Sequence, residues 1–196
     1  MGSKQKLSDI ADVSLGQTFR ERAETDNSVS GIRLIQIKDV REGELRDVAS
    51  LPYADIEPSK LKVTLLTGDL LLPLRGTRTE AMIFRGANSP GEVTTTNQVA
   101  IIRPRMGLVS LDYLHWFFNS AMGSIALESI RTKATIPNIS VKNLAEIKLP
   151  VPDFGSQERI VTIYHNWRMQ KETLYEMLRN GEKVVASAAQ KILIRE

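Results

Sequence analysis

The stretch of sequence that decides the fold is residues 147–160, which read IKLPVPDFGSQERI. Pro150 and Pro152 each disfavour helix in the residue before them, so we interpret the first half of this stretch as a last short strand. No proline follows Ser156, and the rest of the chain therefore predicts a long helix. We accordingly divide the sequence into a first domain, residues 1–152, and a helical segment, residues 153–196.

The sequence before this boundary is rich in short β-like runs separated by Gly, Pro, Asn and Asp, which is typical of a small sheet or barrel-like assembly. One run contains Pro73, which we expect near the end or edge of its strand because proline cannot donate a ladder hydrogen bond. The predicted strands lie within residues 31–37, 69–74, 80–84 and 98–103.

From residue 110 the apolar period becomes helical, with Ser110 as a predicted N-cap. A second short helix is predicted around residues 125–130, and Ser140 is predicted to cap a further turn. The fold class is therefore α+β: a β-rich domain with packed short helices, followed by a long C-terminal coiled-coil-like α-helix. The apolar face of the first helix consists of Leu111, Leu114, Phe117, Phe118 and Met122.

The long helix fits a heptad template with seven apolar residues at ten core positions. The weak point is Asn180-Gly181, a turn dipeptide that leaves two shorter helices as an alternative. A helix of this length needs cover for its apolar stripe, either from a partner helix or by folding back over its own domain. The a positions are Ile160, Trp167, Leu174, Gly181 and Ala188, and the d positions are Ile163, Gln170, Met177, Val184 and Lys191.

The composition excludes several classes of protein. The 196 residues include 26 Lys and Arg against 23 Asp and Glu, so a formal charge of +3 does not by itself establish a polyanionic partner. Because there is no cysteine, a disulfide framework, a cysteine zinc site and a thiol nucleophile are excluded. The apolar runs are shorter than the ~18 residues of a membrane span, and no apolar signal core opens the chain. We therefore expect a cytoplasmic protein without a membrane segment.

Familiar enzyme motifs are missing from the sequence. There is no P-loop, no Gly-x-Ser-x-Gly elbow, no His-Glu-x-x-His and no Pro-Pro pair of the kind that adenine methyltransferases carry. His115 and His165 lie 50 residues apart without a ligand at metal spacing, so we interpret both as structural. Glu146 and Lys148, with Asp153 after them, leave metal-dependent DNA cleavage as a weak alternative, which predicts Mg²⁺-dependent nicking that Glu146→Gln abolishes.

Arginine is concentrated in residues 75–105, which hold five arginines against Glu80 and Glu92. The planar guanidinium can grip a phosphate or pair with the O6 and N7 edge of guanine, and Asn or Gln can pair with adenine. A solvated hairpin loop would have the same composition, so binding and structural readings both remain open here. The candidate residues are Arg75, Thr77, Arg78, Thr79, Asn97 and Gln98, with further cations at Arg20, Arg22, Arg131 and Lys133.

Taken in order, several segments resemble the specificity subunit of type I restriction-modification systems, namely one target recognition domain and one of its helices. Residues 136–140, IPNIS, and the later LPVP and QERI segments carry the most specific likeness. The sequence departs from the family where many members have Pro-Pro-x-x-Glu-Gln before the helix, and complete subunits resemble two such halves in tandem. The other matching segments are residues 6–13 with Gly16 and Phe19, residues 34–40, residues 68–76, and residues 113–120.

The resemblance implies a DNA-binding subunit without catalysis or a cofactor of its own. It implies a methyltransferase subunit that binds S-adenosylmethionine, a translocating restriction subunit that uses ATP and Mg²⁺, and double-stranded DNA as partners. We expect docking on phosphates through Arg20, Arg22, Arg75, Arg78, Arg131 and Lys133, and base reading among Arg75, Thr77, Arg78, Thr79, Asn97 and Gln98. We expect a homodimer, or docking of the methyltransferase subunit, through Ile160, Ile163, Trp167, Leu174, Met177 and Val184.

An alternative of another class is an adaptor whose long helix docks a protein while the β-rich domain binds something other than DNA. The adaptor predicts binding that does not respond to salt, whereas DNA binding predicts a steep dependence on salt.

Overall fold

A computed structural model describes residues 4–26, 30–45, 47–78, 80–86 and 91–194. The chain separates into two units, Met1–Gln157 and Glu158–Glu196. The helices are α1 Leu7–Ile10, α2 Leu111–Asn119, α3 Ala121–Ser129, α4 Val141–Ala145 and α5 Phe154–Leu193. The strands are β1 Lys4–Lys6, β2 Ala11–Leu15, β3 Glu24–Thr25, β4 Arg33–Ile35, β5 Gly43–Leu45, β6 Tyr53–Ala54, β7 Leu70–Pro73, β8 Met82–Phe84, β9 Val93–Thr95, β10 Val99–Pro104 and β11 Lys148–Pro150.

The main sheet has five strands in the order β2-β10-β7-β8-β5, antiparallel except for the parallel pair β8 and β5. Its central strand β7 is buried at every residue, as expected for an uninterrupted apolar run. Pro73 is the last residue of β7, so the predicted position of this proline is confirmed. Leu71, Ile101 and Met82 from three neighbouring strands belong to one buried cluster, which places the main core on this sheet.

A second sheet has the order β3-β6-β4-β9 and covers a smaller cluster of Ile32, Leu34 and Ala54. Thr94 and Thr95 in β9 are buried, and their hydroxyl groups donate to the carbonyls of Val63 and Ile35. These two threonines therefore serve strand packing, in line with the high β-propensity of threonine.

A tight turn precedes β7 and is fixed by a buried carboxylate. Gly68 has φ 97°, a conformation that favours glycine, and Asp69 Oδ2 accepts the Leu66 N–H at 2.8 Å. The guanidinium of Arg103 in β10 donates to both carboxylate oxygens of Asp69, at 2.7 and 2.8 Å. The Gly-Asp-Leu-Leu segment thus combines a turn, a buried carboxylate paired with the partly exposed Arg103, and the start of the central strand.

Serine side chains begin three of the helices. Ser110, Ser120 and Ser140 accept from backbone N–H groups three residues further on, which confirms the predicted caps at Ser110 and Ser140. The prediction that Met122 lies on the first helix was wrong, because Ser120 ends α2 and caps α3. Met122 is on α3, where it is half exposed to solvent.

The long helix α5 is continuous through Asn180 and Gly181, so the two-helix alternative was wrong. Its 40 residues correspond to ~60 Å at ~1.5 Å per residue. The predicted α+β class with a long C-terminal helix is confirmed. No helix among the described residues is long and apolar enough to cross a membrane.

The first turn of α5 is tied into the N-terminal unit. Asp153 accepts from the N–H and hydroxyl of Ser156. The side chain of Gln157 is buried, accepts the Ser110 N–H at 2.9 Å and donates to the Pro152 carbonyl at 2.8 Å. The amide group of Gln157 therefore joins the start of α5 to the start of α2.

Candidate nucleic-acid interface

The strand register brings several loops to one edge of the main sheet. Leu15, at the end of β2, pairs with Ala100 near the start of β10, and Val99 pairs with Pro73 at the end of β7. The segments that follow β2, precede β10 and follow β7 therefore leave the sheet side by side. We call these segments, residues 16–22, 96–98 and 74–78, the loop edge.

Backbone hydrogen bonds place the 96–98 turn between the other two loops. The Asn97 N–H donates to the Gln17 carbonyl at 3.0 Å, and the Leu74 N–H donates to the Gln98 carbonyl at 2.9 Å. The predicted readers Asn97 and Gln98 are thus held between the β2 loop and the β7 loop.

The β7 loop is joined in the same way to the segment before α4. The Gly76 N–H donates to the Pro137 carbonyl at 2.9 Å, and the Ile139 N–H donates to the Leu74 carbonyl at 2.8 Å. The IPNIS segment, singled out in the sequence, therefore supports the β7 loop. The β2 loop, the 96–98 turn, the β7 loop and the IPNIS segment, which are far apart in sequence, are therefore joined by backbone hydrogen bonds.

The predicted base readers are placed at the loop edge with different accessibility. Arg75, Thr77 and Asn97 are exposed, and Gln98 is partly buried. Thr79 lies outside the described residues. Exposed donors on a framework held by backbone hydrogen bonds have the arrangement needed to contact base edges and phosphates.

Arg78 has a structural role in addition to the predicted one. Its Nη2 donates to the Ile37 carbonyl at 2.9 Å and so connects the β7 loop to the segment before β5. One of the five N–H donors of the guanidinium is used in this bond.

The placement of Arg131 requires a correction to the predicted phosphate contacts. Its side chain is only 4% exposed, Nε lies 3.0 Å from Glu128 Oε2, and Nη1 donates to the Gly76 carbonyl. The guanidinium supports the β7 loop from inside and does not face solvent. The exposed Lys133, two residues further on, keeps its predicted position on the surface.

Arg20 and Arg22 are exposed in the loop between β2 and β3. Phe19 and Ala23 on either side of them pack against the core cluster of the second sheet. This packing anchors the loop on both sides of the two cations, which remain exposed to solvent.

The arginine-rich segment 75–105 does not form one basic patch. Strand β10 carries Arg103 away from the loop edge, where it pairs with Asp69 and where Arg105 pairs with Asp12 at 2.6 Å. The hydrogen bond to Asp69 raises the pKa of the Arg103 guanidinium. Arg85 pairs with Glu44 and Asp112. Of the five arginines, only Arg75 and Arg78 lie at the loop edge.

Two cations near this edge were not predicted from the sequence. β5 runs parallel to β8, and Gly43 pairs with Met82, so the segment before β5 also reaches the loop edge. It carries the exposed residues Lys38 and Arg41, with the ammonium group of Lys38 3.4 Å from Glu24. The only local signal is the charge of these residues, because the pairing that places them is non-local.

The residues behind the cleavage alternative have structural roles instead. Glu146 pairs with Lys6 at 2.8 Å, and Asp153 caps α5. His115 is buried in α2, and His165 is exposed on α5. Across the part of the chain that the structure describes, no group of three or more potential metal ligands is present. The geometry lends the cleavage alternative no support.

The Lys6–Glu146 pair is expected to stabilise the fold within a pH window. The hydrogen bond to Lys6 lowers the pKa of Glu146, and the same bond raises the pKa of Lys6. The contribution of Glu146 is present above its unfolded-state pKa and lost as pH falls through its folded-state pKa. The contribution of Lys6 is lost as pH rises through its folded-state pKa.

Thermal unfolding of the wild type and of Glu146→Gln checks this expectation. The two proteins should differ slightly near neutral pH and coincide at about pH 2, since exposed ion pairs contribute little. A difference that persists undiminished in acid would contradict the role of this pair.

The family model for the type I restriction modification DNA specificity domain matches residues 3–173. The chain therefore belongs to this family, and the sequence-based assignment is confirmed. A domain of this class is the non-catalytic component that recognises a DNA sequence in a restriction-modification system.

Solved structures with the same fold support this assignment. The HsdS subunit from Thermoanaerobacter tengcongensis is 17% identical, with a TM-score of 0.65 over 88% of this chain and 38% of that one. The type I S subunit from M. genitalium is 13% identical, with a TM-score of 0.60 over 93% of this chain and 43% of that one. A chain from a structure that concerns complex assembly of the type I R-M system is 17% identical. Its TM-score is 0.67 over 88% of this chain and 39% of that one.

The chain spans about two fifths of the length of these solved chains. No curated protein matches it.

Proposed function

We propose that the chain binds double-stranded DNA along the loop edge and directs a methyltransferase subunit and a restriction subunit to the sequence that it reads. The observation that carries this proposal is the line of backbone hydrogen bonds from Gln17 through Asn97 and Leu74 to Pro137. It unites exposed donors from separate loops on one rigid surface, which is what base readout requires.

Two groups of residues would contribute different terms to binding. Arg20, Arg22, Arg41 and Lys133 are exposed cations near or on the loop edge, suited to phosphates. Phosphate contacts make affinity fall with salt by about 0.9 in log K per phosphate neutralised per decade of salt. Arg75, Thr77, Asn97 and Gln98 would read bases, with Arg78 both bracing the loop and contacting DNA.

The α5 helix supplies the proposed assembly surface. Five of the six predicted assembly residues are more than half exposed, and Ile160 is partly buried. Two copies paired antiparallel through these helices would present two loop edges to an interrupted, palindromic target, with helix length fixing the gap. S-adenosylmethionine and ATP with Mg²⁺ would bind to the partner subunits. The exposed residues are Ile163, Trp167, Leu174, Met177 and Val184.

The direct test is selection of binding sequences from a random double-stranded DNA library with the 196-residue chain, at two salt concentrations. Enrichment of a defined sequence and an affinity that falls steeply with salt would support the proposal. Failure to enrich any sequence would refute it, and binding of a protein partner that does not respond to salt would favour the adaptor alternative.

Arg75→Ala is expected to lower the preference for one base pair of the selected sequence by roughly 1–3 kcal/mol, since a bidentate arginine contact is lost. Lys133→Ala should instead weaken binding to all sequences and reduce the salt slope by about 1. Competition binding with single-base variants of the selected site measures both effects.

Arg105→Ala is the matched control, because Arg105 is a partly exposed arginine that pairs with Asp12 away from the loop edge. It should leave both the base preference and the salt slope unchanged. Equal losses in Arg75→Ala and Arg105→Ala would contradict the assignment of base reading to the loop edge.

A further inference from the structure

Arg75 is held between two residues whose backbone polar groups are all hydrogen bonded. The N–H and carbonyl of Leu74 pair with Gln98 and Ile139, and the N–H of Gly76 pairs with Pro137. The remaining group, the Gly76 carbonyl, accepts from Nη1 of Arg131. Three of the four anchors are backbone groups, and the fourth is the only one that a side-chain substitution can remove.

Gly76 has a backbone conformation that favours glycine, and hydrogen bonds hold it on both sides. Gly76 has φ 90°, which other residues rarely adopt, and a Cβ built there would have no atom within 4 Å. The hydrogen bonds on its N–H and carbonyl hold the observed conformation in place.

Burial of the Arg131 side chain carries a free-energy cost. Its side chain is 4% exposed, and Nη2 has no hydrogen-bond partner in the described part of the chain. Removing a guanidinium from water is unfavourable unless its donors are used. The side chain of its ion-pair partner, Glu128, is 73% exposed, so solvent screens the interaction between the two charges. What Arg131 does supply is the bond to the β7 loop.

The backbone next to Arg131 is also held in place by hydrogen bonds. The Thr132 N–H donates to the Asn138 carbonyl at 2.9 Å, and the Asn138 N–H donates to the Thr132 hydroxyl at 2.9 Å. Arg75 also forms a β-bridge with Asn138. Arg131 and Arg75 are thus held against the same segment, one from within and one on its surface.

We propose that Arg131 is a positioning residue for base readout: by holding the Gly76 carbonyl it fixes the direction in which Arg75 leaves the loop. This inference rests on the proposed function, in which Arg75 reads a base. A preorganised side chain loses less freedom on binding, so its contribution to discrimination is larger. Lysine cannot replace the function fully, because it lacks the planar fork of donors.

The experiment compares sequence selection by the full chain in the wild type, Arg75→Ala, Arg131→Gln and Arg131→Lys. Both Arg131 variants should lose preference at the base pair that Arg75→Ala affects, by about 10-fold in Arg131→Gln and less in Arg131→Lys. Affinity for random DNA and the salt slope should stay unchanged, because Arg131 does not reach a phosphate. Arg131→Gln should add little to Arg75→Ala, since the two act on one contact.

Arg33→Gln is the matched control for loss of a structural arginine. Arg33 donates to the Leu51 carbonyl, and its Cζ lies 3.9 Å from the centroid of the Tyr53 ring. Among the bonds described, none joins Arg33 to the β7 loop. Its replacement should leave base preference intact at a comparable loss of thermal stability. If Arg131→Gln does not fold, the test uses Arg131→Lys. Amide hydrogen exchange at Gly76 should then be faster in Arg131→Lys than in the wild type.

The outcomes separate this inference from the proposed function. A wild type that selects no sequence would refute the proposed function itself. A wild type that selects a sequence, with Arg131 variants that select it equally strongly, would overturn only the positioning role. A smaller salt slope in Arg131→Gln would also overturn it, because Arg131 would then be a phosphate contact.

Discussion

Gly16→Ala is expected to destabilise the N-terminal unit by about 2–3 kcal/mol, as overpacking of a tight contact does. A Cβ at Gly16 would lie 2.3 Å from the Thr96 carbonyl oxygen and 2.4 Å from that of Thr95. Both obstructing atoms are backbone, and the Gly16 and Gln17 N–H groups bond to Val99 and Thr95, so neither side can move without breaking the pairing. The 96–98 turn would shift, and DNA affinity should fall with stability.

Gly181→Ala provides a control with the opposite sign. Nothing lies within 4 Å of a Cβ at this position in α5, and alanine is favoured over glycine within a helix by about 1 kcal/mol. Urea unfolding followed by circular dichroism measures the stability of both variants. A Gly16→Ala protein as stable as the wild type, with unchanged DNA affinity, would show that the contact between the β2 loop and the 96–98 turn is not important.

The double variant Trp167→Glu with Leu174→Glu is expected to convert a dimer into a monomer. The two side chains are each 55% exposed and occupy successive a positions of the proposed seam. Carboxylates at both positions would lie in the apolar seam, so apolar burial would be lost and two charges would be removed from water. Light scattering at two protein concentrations should give half the molar mass of the wild type.

Thr162→Glu with His165→Glu adds two carboxylates at the c and f positions of the same helix, away from the a and d seam. This control should remain dimeric. A wild type that is already monomeric would exclude self-assembly of the chain and with it a symmetric target. The methyltransferase subunit, or the chain's own domain, would then be the remaining candidate to cover the stripe.

Features that depend on neighbouring residues were predictable from the sequence. The caps at Ser110 and Ser140, and Pro73 at a strand end, follow from side-chain chemistry within a few positions. The apolar period placed Met122 on the same helix as Leu111. The cap at Ser120, which is also a local signal, instead ends α2 and begins α3. The alternative of a helix break at Gly181 was wrong, because helix formed on both sides extends through this residue.

Features of the candidate site depend on pairings between distant segments. Arg103 counted toward a basic patch in the sequence, but β10 carries it to Asp69 at the other end of the sheet. The sequence predicts a surface cation at Arg131, but the fold buries this side chain against the β7 loop. Arg41 was missed since the parallel pairing of β5 and β8 has no local signature. Charge is visible in a sequence, whereas its accessibility is a property of the fold.

The hydrogen bonds that join the loops also bear on how new specificities could evolve. The bonds between Gln17, Asn97, Gln98 and Leu74 use main-chain atoms, so they do not depend on which side chains these positions carry. Substitutions at residues 75, 77 and 97 could therefore accumulate without dismantling the scaffold. If these residues read bases as proposed, a few point mutations would change the sequence that the chain selects and leave the scaffold intact.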